Sequence, residues 1–299
     1  MISIGSMLWG TMTPEDVAHD IMDAALESGV NSIDCAQKYP ILGDSEYGAA
    51  EKIIGRFGRR NELVISTKLY HKVPLHSIKE SVEQSLKNLQ TDYIDIFYIH
   101  EPARGTYAFR QNWKYDPTIL EEDILEQQLD VIKELQKEGK IKEIGLSNET
   151  AWGITKYGKD VDYVQNEYSL LHRHADLDVA EACVKEDIRF HAWSPLAYGL
   201  LAKGHQGERI KRNSDLKGRV NGISTYAATQ YAAVAKRHGL SLHHMALAYV
   251  INKPFIDGVV IGPRTLEQYK DLELAFNLTI PSDIRNEIEE IYRWYTVPF

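Results

Sequence analysis

Short apolar runs alternate regularly with amphipathic stretches along the whole of this chain. Each run has the length and composition of a buried strand, and each stretch that follows repeats its apolar residues at helical spacing. We count eight such pairs, the first formed by a strand at residues 6–10 and a helix at residues 14–29. Crossovers between parallel strands are right-handed, and eight units close into a barrel. The pattern predicts an α/β fold, a (β/α)8 TIM barrel, as one domain over residues 1–299.

A doubly wound sheet is the main alternative for such a pattern. When a sheet of that kind binds a dinucleotide, a glycine-rich G-x-G-x-x-G turn normally follows its first strand. The sequence contains no such turn, which favours the barrel. Residues 101–118 and 196–224 interrupt the alternation, and loops of this length are usually functional or mobile.

Charge, cysteine content and the first residues exclude several classes of protein. There are 43 acidic and 34 basic residues, a net charge of −9 that repels phosphate backbones, so we expect no nucleic-acid partner. Cys35 and Cys183 form no C-x-x-C motif, and neither a disulfide framework nor a metal site is predicted. The amino-terminal residues lack a basic start, and no apolar run approaches the ~20 residues that span a bilayer. The expectation is a cytoplasmic protein with no membrane partner.

Polar or aromatic residues stand where the predicted strands end. Because the active site of such a barrel lies at these ends, the side chains there are the candidates for function. A single lysine or histidine in this place usually has a structural explanation, but several in register are harder to explain in that way. The residues are Asp34, Lys68, His100, Ser147, Asn148, Gln165, Trp193 and Ser194.

Tyr39 follows Asp34 by five residues and completes a chemically coherent set with Lys68 and His100. A tyrosine with a pKa near 10 is a poor acid at neutral pH, but a neighbouring ammonium favours its phenolate. A buried Lys68 needs an anionic partner, which Asp34 can supply. His100 can hydrogen-bond the same substrate oxygen as Tyr39. We therefore predict that Asp34 holds Lys68 and that Lys68 makes Tyr39 a usable proton donor.

A family resemblance adds to this prediction. Six motifs occur in order along the chain, DCAQKY, STK, YIDIFYIHEP, GKIKEIGLSNET, VQNEYSLLHR and AWSPLAYGLL. Together they resemble the aldo-keto reductase superfamily, whose usual motifs include D-x-A-x-x-Y, Y-I-D-x-x-x-x-H and G-x-S-N. The likeness covers nearly the whole chain. Within the superfamily it is most similar to the Tas-like bacterial reductases, which are also related to potassium-channel β subunits.

The resemblance implies an NADPH-dependent enzyme that transfers hydride to an aldehyde or ketone. Tyr39 would be the general acid, with Asp34 and Lys68 as its supports, and His100 would orient the carbonyl of a small-molecule substrate. Asp34, Ser147, Asn148, Gln165 and Trp193 would border the nicotinamide. The other implied cofactor contacts are Gly10, Thr11 and Met12 beside the ribose, Ser194, Leu196 and Leu201 along the pyrophosphate, and Gly262, Arg264 and Gln268 at the adenosine end.

Two departures from the family pattern leave NADH open as the cofactor. Relatives have GLLTGK where this chain has GLLAKG, which moves the phosphate-contacting lysine to Lys203. Leu272 stands where relatives have an asparagine, and a leucine side chain cannot hydrogen-bond adenine. Several basic residues of the long interruption at residues 196–224 could meet the 2′-phosphate of NADPH or belong to a solvated surface. They are Arg209, Lys211, Arg212, Lys217 and Arg219.

The loop after the fourth strand is the predicted substrate wall. Tyr107 and Trp113 are interleaved there with arginine and lysine, which suits an aromatic, sugar or anionic carbonyl, although the rings could equally pack on one another. Two alternatives to a general reductase are a pathway-specific sugar or deoxysugar ketoreductase and a non-enzymatic NADP(H)-binding accessory subunit. The sequence leaves open the substrate, the direction of reaction and the oligomeric state, a homo-oligomer included.

Overall fold

The computed structural model describes residues 1–41, 46–71, 73–102, 104, 118, 123–203 and 219–296, without the side chain of Lys203. Within these ranges eight parallel strands form a closed barrel, and they follow one another around it in chain order. The predicted (β/α)8 barrel is therefore confirmed. The strands are β1 (Ile2–Gly5), β2 (Ser32–Asp34), β3 (Val64–Leu69), β4 (Ile94–Ile99), β5 (Ile141–Ser147), β6 (Tyr163–Glu167), β7 (Arg189–Trp193) and β8 (Gly258–Ile261).

Helices connect the strands and continue after the last one. None of the helices in the described ranges is both long and apolar enough to cross a bilayer. The α-helices are α1 (Glu15–Glu27), α2 (Ala49–Arg56), α3 (Ile78–Leu89), α4 (Leu125–Lys137), α5 (Ala151–Tyr157), α6 (Val179–Lys185), α7 (Leu200–Lys203), α8 (Gly222–Arg237), α9 (Leu242–Ile251), α10 (Leu266–Glu273) and α11 (Ser282–Trp294).

The first strand is not where the apolar pattern predicted it. β1 pairs with both β2 and β8, so that Ser3 lies opposite Ser32 and Val260. Residues 6–10, the predicted strand, form turns instead, and the amide of Trp9 donates to the carbonyl of Ser6 at 3.0 Å. The prediction was wrong because Leu8 and Trp9 are buried by the tertiary fold and not by strand pairing.

Helix α8 also lies outside the predicted alternation. Its sequence, GISTYAATQYAAVAKR, is rich in alanine, so the contrast between an apolar and a polar face is weak. The helix begins where the side chain of Asn221 accepts hydrogen bonds from the amides of Ile223 and Ser224. That cap satisfies amides that the first helical turn leaves without partners. Its buried face includes Tyr231 and Val234.

The strands are buried on both faces, as parallel strands in a barrel must be. Every residue of β4 is buried, and its last four side chains alternate between two hydrophobic clusters. Phe97 and Ile99 pack in the main core, whereas Tyr98 packs with Tyr163 in a smaller cluster. Because successive strand residues point to opposite faces, the smaller cluster fills the inside of the barrel.

An ion-pair network ties the amino ends of three strands at the bottom of the barrel. Asp95, the second residue of β4, accepts from Arg60 at 2.8 Å, from the Ile65 amide of β3 at 2.9 Å and from Lys142 of β5 at 3.0 Å. The Arg60 guanidinium also lies 4.1 Å from the ring centroid of Tyr93. The side chains of Asp95 and Arg60 are only 12% and 15% exposed, so this pair is screened little by water.

We predict that replacement of Asp95 by alanine destabilises the fold without touching the upper end of the barrel. It leaves Arg60 partly buried without its carboxylate, which we expect to lower the free energy of unfolding by about 3 kcal/mol. Asp23→Ala is the matched control, since it breaks an exposed pair with Arg59 and should cost less than about 1 kcal/mol. Urea unfolding measures both. Equal losses in the two variants would contradict the prediction.

Candidate active site

A cavity opens at the carboxyl ends of the barrel strands. Its volume is about 690 Å³, and it extends from the ends of β2, β3 and β4 to the segment that follows β8. The barrel order explains this convergence, because strand ends that are distant in sequence meet around one opening. The sequence-predicted residues that line the cavity are Asp34, Tyr39, Lys68, His100, Ser147, Asn148, Gln165, Trp193, Ser194, Leu196, Gly262, Arg264 and Gln268.

The segment after β1 contributes different residues from those predicted. Gly10, Thr11 and Met12 do not line the cavity. Their backbone closes a turn, in which the amide of Met12 donates to the carbonyl of Leu8 at 3.0 Å. The preceding residues Met7, Leu8 and Trp9 line the cavity instead. This turn follows from the earlier start of β1, which shifts the strand end away from residue 10.

Other predicted residues lie away from the cavity or outside the described ranges. Leu201 is fully buried in the hydrophobic core and does not line the cavity. Arg219, one of the basic residues considered for a 2′-phosphate, donates to Glu167 at the end of β6 at 2.8 Å. The predicted residues outside the described ranges are Tyr107, Trp113, Arg209, Lys211, Arg212 and Lys217.

A buried ion pair forms the centre of the site. The Lys68 ammonium donates to both oxygens of Asp34, at 2.7 and 2.6 Å, and to the backbone carbonyl of Cys35 at 2.7 Å. Asp34 also accepts from Ser66 Oγ at 3.0 Å and from Gln165 Nε2 at 2.8 Å. Lys68 is 1% exposed and Asp34 3% exposed, so each charge depends on the other and on these hydrogen bonds.

Tyr39 and His100 stand next to this pair. The Lys68 Nζ lies 5.4 Å from the centroid of the Tyr39 ring. The rings of Tyr39 and His100 meet edge to face, with centroids 5.9 Å apart. Both side chains are buried and both line the cavity. The four residues predicted to act together therefore do occupy one place in the structure.

Two buried histidines near Lys68, His100 and His191, favour their neutral forms. Burial lowers the pKa of His100 well below its ordinary value, and the charges of Lys38, Lys68 and His71 lower it further. Burial likewise lowers the pKa of His191 to about 3, with the amino terminus, Arg189 and Lys68 as smaller causes. A positive charge on either ring would have to be buried near Lys68.

A second group of polar residues lines the cavity above β5, β6 and β7. Asn148 donates from Nδ2 to the His100 carbonyl at 2.9 Å and to Ser147 Oγ at 3.2 Å, and its Oδ1 accepts from Trp193 Nε1 at 3.2 Å. Ser147 Oγ donates to the Gln165 carbonyl at 2.9 Å. These uncharged donors and acceptors suit recognition of an amide.

The far end of the cavity, after β8, carries opposite charges. Arg264 and Gln268 line it, and the Arg264 amide donates to Gln268 Oε1 at 2.9 Å. Asp271 lines the same end, and its carboxylate oxygens lie 2.7 Å from His243 Nε2 and 3.2 Å from His244 Nε2. Any anionic group that enters here meets the guanidinium of Arg264 but also the carboxylate of Asp271.

The cavity has an aromatic wall that sequence analysis did not assign. Tyr47, Tyr70 and His71 line it beside Lys38. The ring centroids of Tyr47 and Tyr70 are 5.3 Å apart, and those of Tyr70 and His71 are 4.7 Å apart. His71 is held by Glu101 at 2.5 Å. Tyr70 and His71 directly follow β3, so the strand-end argument could have found them, whereas Tyr47 precedes α2 and carries no such signal.

Comparisons with known proteins agree with the fold. A family model described as the aldo/keto reductase family matches residues 1–293. The protein Tas of Escherichia coli (strain K12) is 32% identical over 331 aligned residues, which cover 99% of this chain and 95% of Tas. The uncharacterized oxidoreductase YrpG of Bacillus subtilis (strain 168) is 29% identical, with 97% and 91% covered. An aryl-alcohol dehydrogenase of Pestalotiopsis microspora is also 29% identical, with 97% and 77% covered.

We predict that the buried neutral state of His191 makes the fold less stable in acid. Its folded pKa is about 3, below the value of about 6.5 in an unfolded chain. Between these two values the unfolded chain binds a proton that the native protein does not, so stability falls as the pH falls from about 6.5. His191 should contribute a loss of about 1.4 kcal/mol per pH unit in this window.

Urea unfolding of the His191→Gln variant between about pH 7 and pH 4 measures this contribution, because glutamine does not titrate. The decline in stability should become shallower by about 1.4 kcal/mol per pH unit in that variant. His76→Gln is the matched control, since His76 is exposed and its removal should leave the slope unchanged. An unchanged slope in the His191 variant would refute the prediction.

Proposed function

The chain belongs to the aldo/keto reductase family, and from this premise we propose that it is an NADPH-dependent reductase of aldehydes or ketones with Tyr39 as the general acid. As a member of that family it is an oxidoreductase that acts on carbonyl or alcohol groups. The observation that carries the proposal is the buried Asp34–Lys68 pair beside the ring of Tyr39, with neutral His100 packed edge-on to that ring.

Tyr39 is the residue we assign to protonation of the carbonyl oxygen. Once its proton is lost, the phenolate lies near the ammonium of Lys68, and an opposite charge at short range stabilises an anion strongly where water is excluded. Asp34 keeps that ammonium in place through two short hydrogen bonds. The pair therefore lowers the free-energy cost of removing the proton from Tyr39.

His100 is suited to a different task. Because its protonated form is disfavoured by burial and by nearby positive charges, it is a poor source of a proton. A neutral imidazole still offers one N–H, which can hydrogen-bond the carbonyl oxygen and direct it towards Tyr39. The acid role falls to Tyr39 and the orienting role to His100.

The residues of the cavity fit a nicotinamide dinucleotide. Uncharged amide groups and the Trp193 ring lie near Lys68 and His100, and the cation of Arg264 lies at the other end. In our proposal Asn148 and Gln165 hold the carboxamide, Ser194 and Leu196 border the pyrophosphate, and Arg264 with Gln268 and Gly262 borders the adenosine end. When bound, NADPH supplies the hydride that is transferred to the carbonyl carbon.

The choice between NADPH and NADH depends on two opposite charges at the adenosine end. The guanidinium of Arg264 favours the 2′-phosphate of NADPH, while Asp271 on the same wall repels it. His243 and His244 hydrogen-bond this carboxylate, so part of its hydrogen-bonding capacity is already occupied. We propose that Arg264 prevails and that NADPH is preferred, with NADH as a weaker alternative.

Aromatic aldehydes are the substrate class that we propose. The wall formed by Tyr47, Tyr70 and His71 adjoins the ends of β2 and β3, where Tyr39 and Lys68 lie. Such rings stack on an aromatic substrate and leave its carbonyl directed to the polar centre. A relative named an aryl-alcohol dehydrogenase supports the same class of substrate.

We predict that Tyr39→Phe abolishes most of the turnover while the cofactor still binds. Loss of a general acid lowers kcat by roughly 100-fold to 10,000-fold, whereas the phenyl ring keeps the packing of the site. NADPH oxidation with benzaldehyde measures kcat, and quenching of intrinsic fluorescence measures the Kd for NADPH. Exposed Tyr226 supplies the matched control, and Tyr226→Phe should change neither quantity.

Three outcomes of that experiment separate the alternatives. Turnover that persists in Tyr39→Phe would remove the acid role of Tyr39. Tight binding of NADPH with no turnover on any aldehyde, ketone or keto-sugar would favour a cofactor-binding accessory subunit. Absence of binding for both NADPH and NADH would reject the proposed function.

We predict further that Tyr70→Leu weakens only the aromatic substrates. A stacked aromatic pair contributes about 0.5–1.5 kcal/mol beyond its buried area, so KM for benzaldehyde should rise about threefold to tenfold. KM for butanal, which has no ring to stack, should stay near the wild-type value, and so should kcat for both. Steady-state kinetics with saturating NADPH measures these constants. An equal rise for both aldehydes would contradict the aromatic wall.

A further inference from the structure

Two histidines and an aspartate meet at the adenosine end of the cavity. His243 and His244 lie in the first turn of α9, and Asp271 lies in α10. His243 Nε2 is 2.7 Å from one carboxylate oxygen of Asp271, and His244 Nε2 is 3.2 Å from the other. One ligand atom from each of the three side chains lies within 4.8 Å of the other two. None of the roles proposed above uses these residues as a group.

Both imidazoles point to the same carboxylate, although they are neighbours in sequence. Successive residues of an α-helix point about 100° apart around its axis and normally do not face each other. Here the two rings pack edge to face, with centroids 4.3 Å apart, and both present Nε2 to Asp271. Ser241 caps the helix by accepting from the His244 amide at 3.3 Å. The three side chains are thus held by two helices, which position ligands more precisely than loops do.

These ligand atoms suit a divalent ion of the zinc class. Imidazole nitrogen is a preferred ligand of Zn²⁺, Ni²⁺ and Cu²⁺, whereas Mg²⁺ and Ca²⁺ prefer oxygen ligands. Bonds from zinc to nitrogen and to carboxylate oxygen are about 2.0–2.2 Å long, so ligands in a tetrahedral site lie about 3.3 Å apart. The two separations between imidazole nitrogen and carboxylate oxygen, 2.7 and 3.2 Å, are close to that spacing. The three side chains can therefore close around such an ion with small movements.

Binding of the ion exchanges hydrogen bonds for metal bonds. His243 Nε2 lies 2.7 Å from the carboxylate of Asp271, and His244 Nε2 also lies 2.8 Å from the backbone carbonyl of Asp271. For Nε2 to bind a metal, the proton of each neutral ring must lie on Nδ1 instead. The negative charge of Asp271 then faces the cation directly and stabilises it.

We infer that His243, His244 and Asp271 form a binding site for a zinc-class divalent ion at the adenosine end of the cavity. His243 and Asp271 line the cavity, so an ion can reach the site from there. Three protein ligands leave a tetrahedral ion one open position, which water or a group in the cavity can occupy. The cysteine content gave no sign of this site, because its ligands are two histidines of one helix and an aspartate of another.

An ion at this site would change the charge that the adenosine end presents. In the proposed function Asp271 repels the 2′-phosphate of NADPH, which Arg264 attracts. A bound divalent ion more than cancels the charge of Asp271, so the same wall then attracts a phosphate. This effect on the cofactor rests on the proposed function, whereas the metal site does not. We expect the ion to strengthen the preference for NADPH over NADH.

Isothermal titration calorimetry of the whole protein with Zn²⁺ tests the site. His243→Gln, His244→Gln and Asp271→Asn should each weaken the binding of one Zn²⁺ at least about tenfold, since even the indirect partners of a metal contribute that much. His238→Gln is the matched control. His238 pairs with the single carboxylate of Glu287 at 2.6 Å, and its side chain is 25% exposed against 23% for His243. This variant should bind Zn²⁺ like the wild type.

Two results would overturn the metal site. One is a Zn²⁺ affinity that is the same in the wild type and in both histidine variants, His243→Gln and His244→Gln. The other is displacement of the bound Zn²⁺ by an equal concentration of Mg²⁺, because a site that depends on imidazole nitrogen should discriminate against Mg²⁺.

A second titration measures the effect on the cofactor. Kd values of NADPH and NADH are determined with and without saturating Zn²⁺, in the wild type and in His244→Gln. Zn²⁺ should raise the preference for NADPH about fivefold in the wild type, roughly the effect of one partly exposed ion pair. In His244→Gln the preference should not change, and this variant also controls for Zn²⁺ that binds the nucleotide itself.

The proposals fail in different ways. Zn²⁺ binding that depends on the three residues, with an unchanged preference for NADPH, refutes the effect on the cofactor alone. A wild-type protein that binds neither nucleotide refutes the proposed function, while the titration with Zn²⁺ still decides the metal site.

Discussion

The ion pair between Asp34 and Lys68 is the interaction on which the site depends. Removal of two charges from water costs several kcal/mol per ion, and it is tolerated only where the geometry is close and the remaining hydrogen-bonding positions are filled. Here Ser66 and Gln165 donate hydrogen bonds to the Asp34 carboxylate, and the Cys35 carbonyl accepts a hydrogen bond from the Lys68 ammonium. The residues that make these contacts lie in or next to β2, β3 and β6. The position of the Lys68 ammonium therefore depends on how these strands are arranged in the barrel.

Burial sets the protonation of the titratable groups around this pair, and the charges of the pair add to the effect of burial. His100 and His191 are held neutral, and the phenol of Tyr98 is held protonated by burial and by Asp34. The centre of the site therefore consists of one buried pair of charges, Asp34 and Lys68, among neutral hydrogen-bonding groups. In our proposal this division leaves Tyr39 as the proton donor.

Both long interruptions of the barrel are fastened to a strand end by an arginine and a glutamate. Arg104 donates to Glu149 after β5 and lies 4.9 Å from the Trp152 ring centroid. Arg219 donates to Glu167 of β6 at 2.8 Å and lies 5.2 Å from the Tyr198 ring centroid. All four charged side chains are largely buried, which makes these pairs more costly to break than surface pairs. Each interruption is thus anchored at an end that the structure describes.

The sequence by itself determined the barrel and the polar strand ends, because strand and helix periodicities are local and the carboxyl ends of parallel strands must meet. Asp34, Lys68 and His100 were found in this way, and Tyr39 through its chemistry with them. The start of β1 and helix α8 were not, since burial of Leu8 and Trp9 and the alanine-rich face of α8 leave no clear periodicity. Only the tertiary structure brought Tyr47 to the cavity, Leu201 into the core, and Tyr98 and His191 together inside the barrel. Those contacts depend on which residues of different strands share a level inside the barrel, and on the space left by Gly145 and Gly258. Strand register and packing decide which residues of neighbouring strands lie side by side, and the local sequence pattern predicts neither of them.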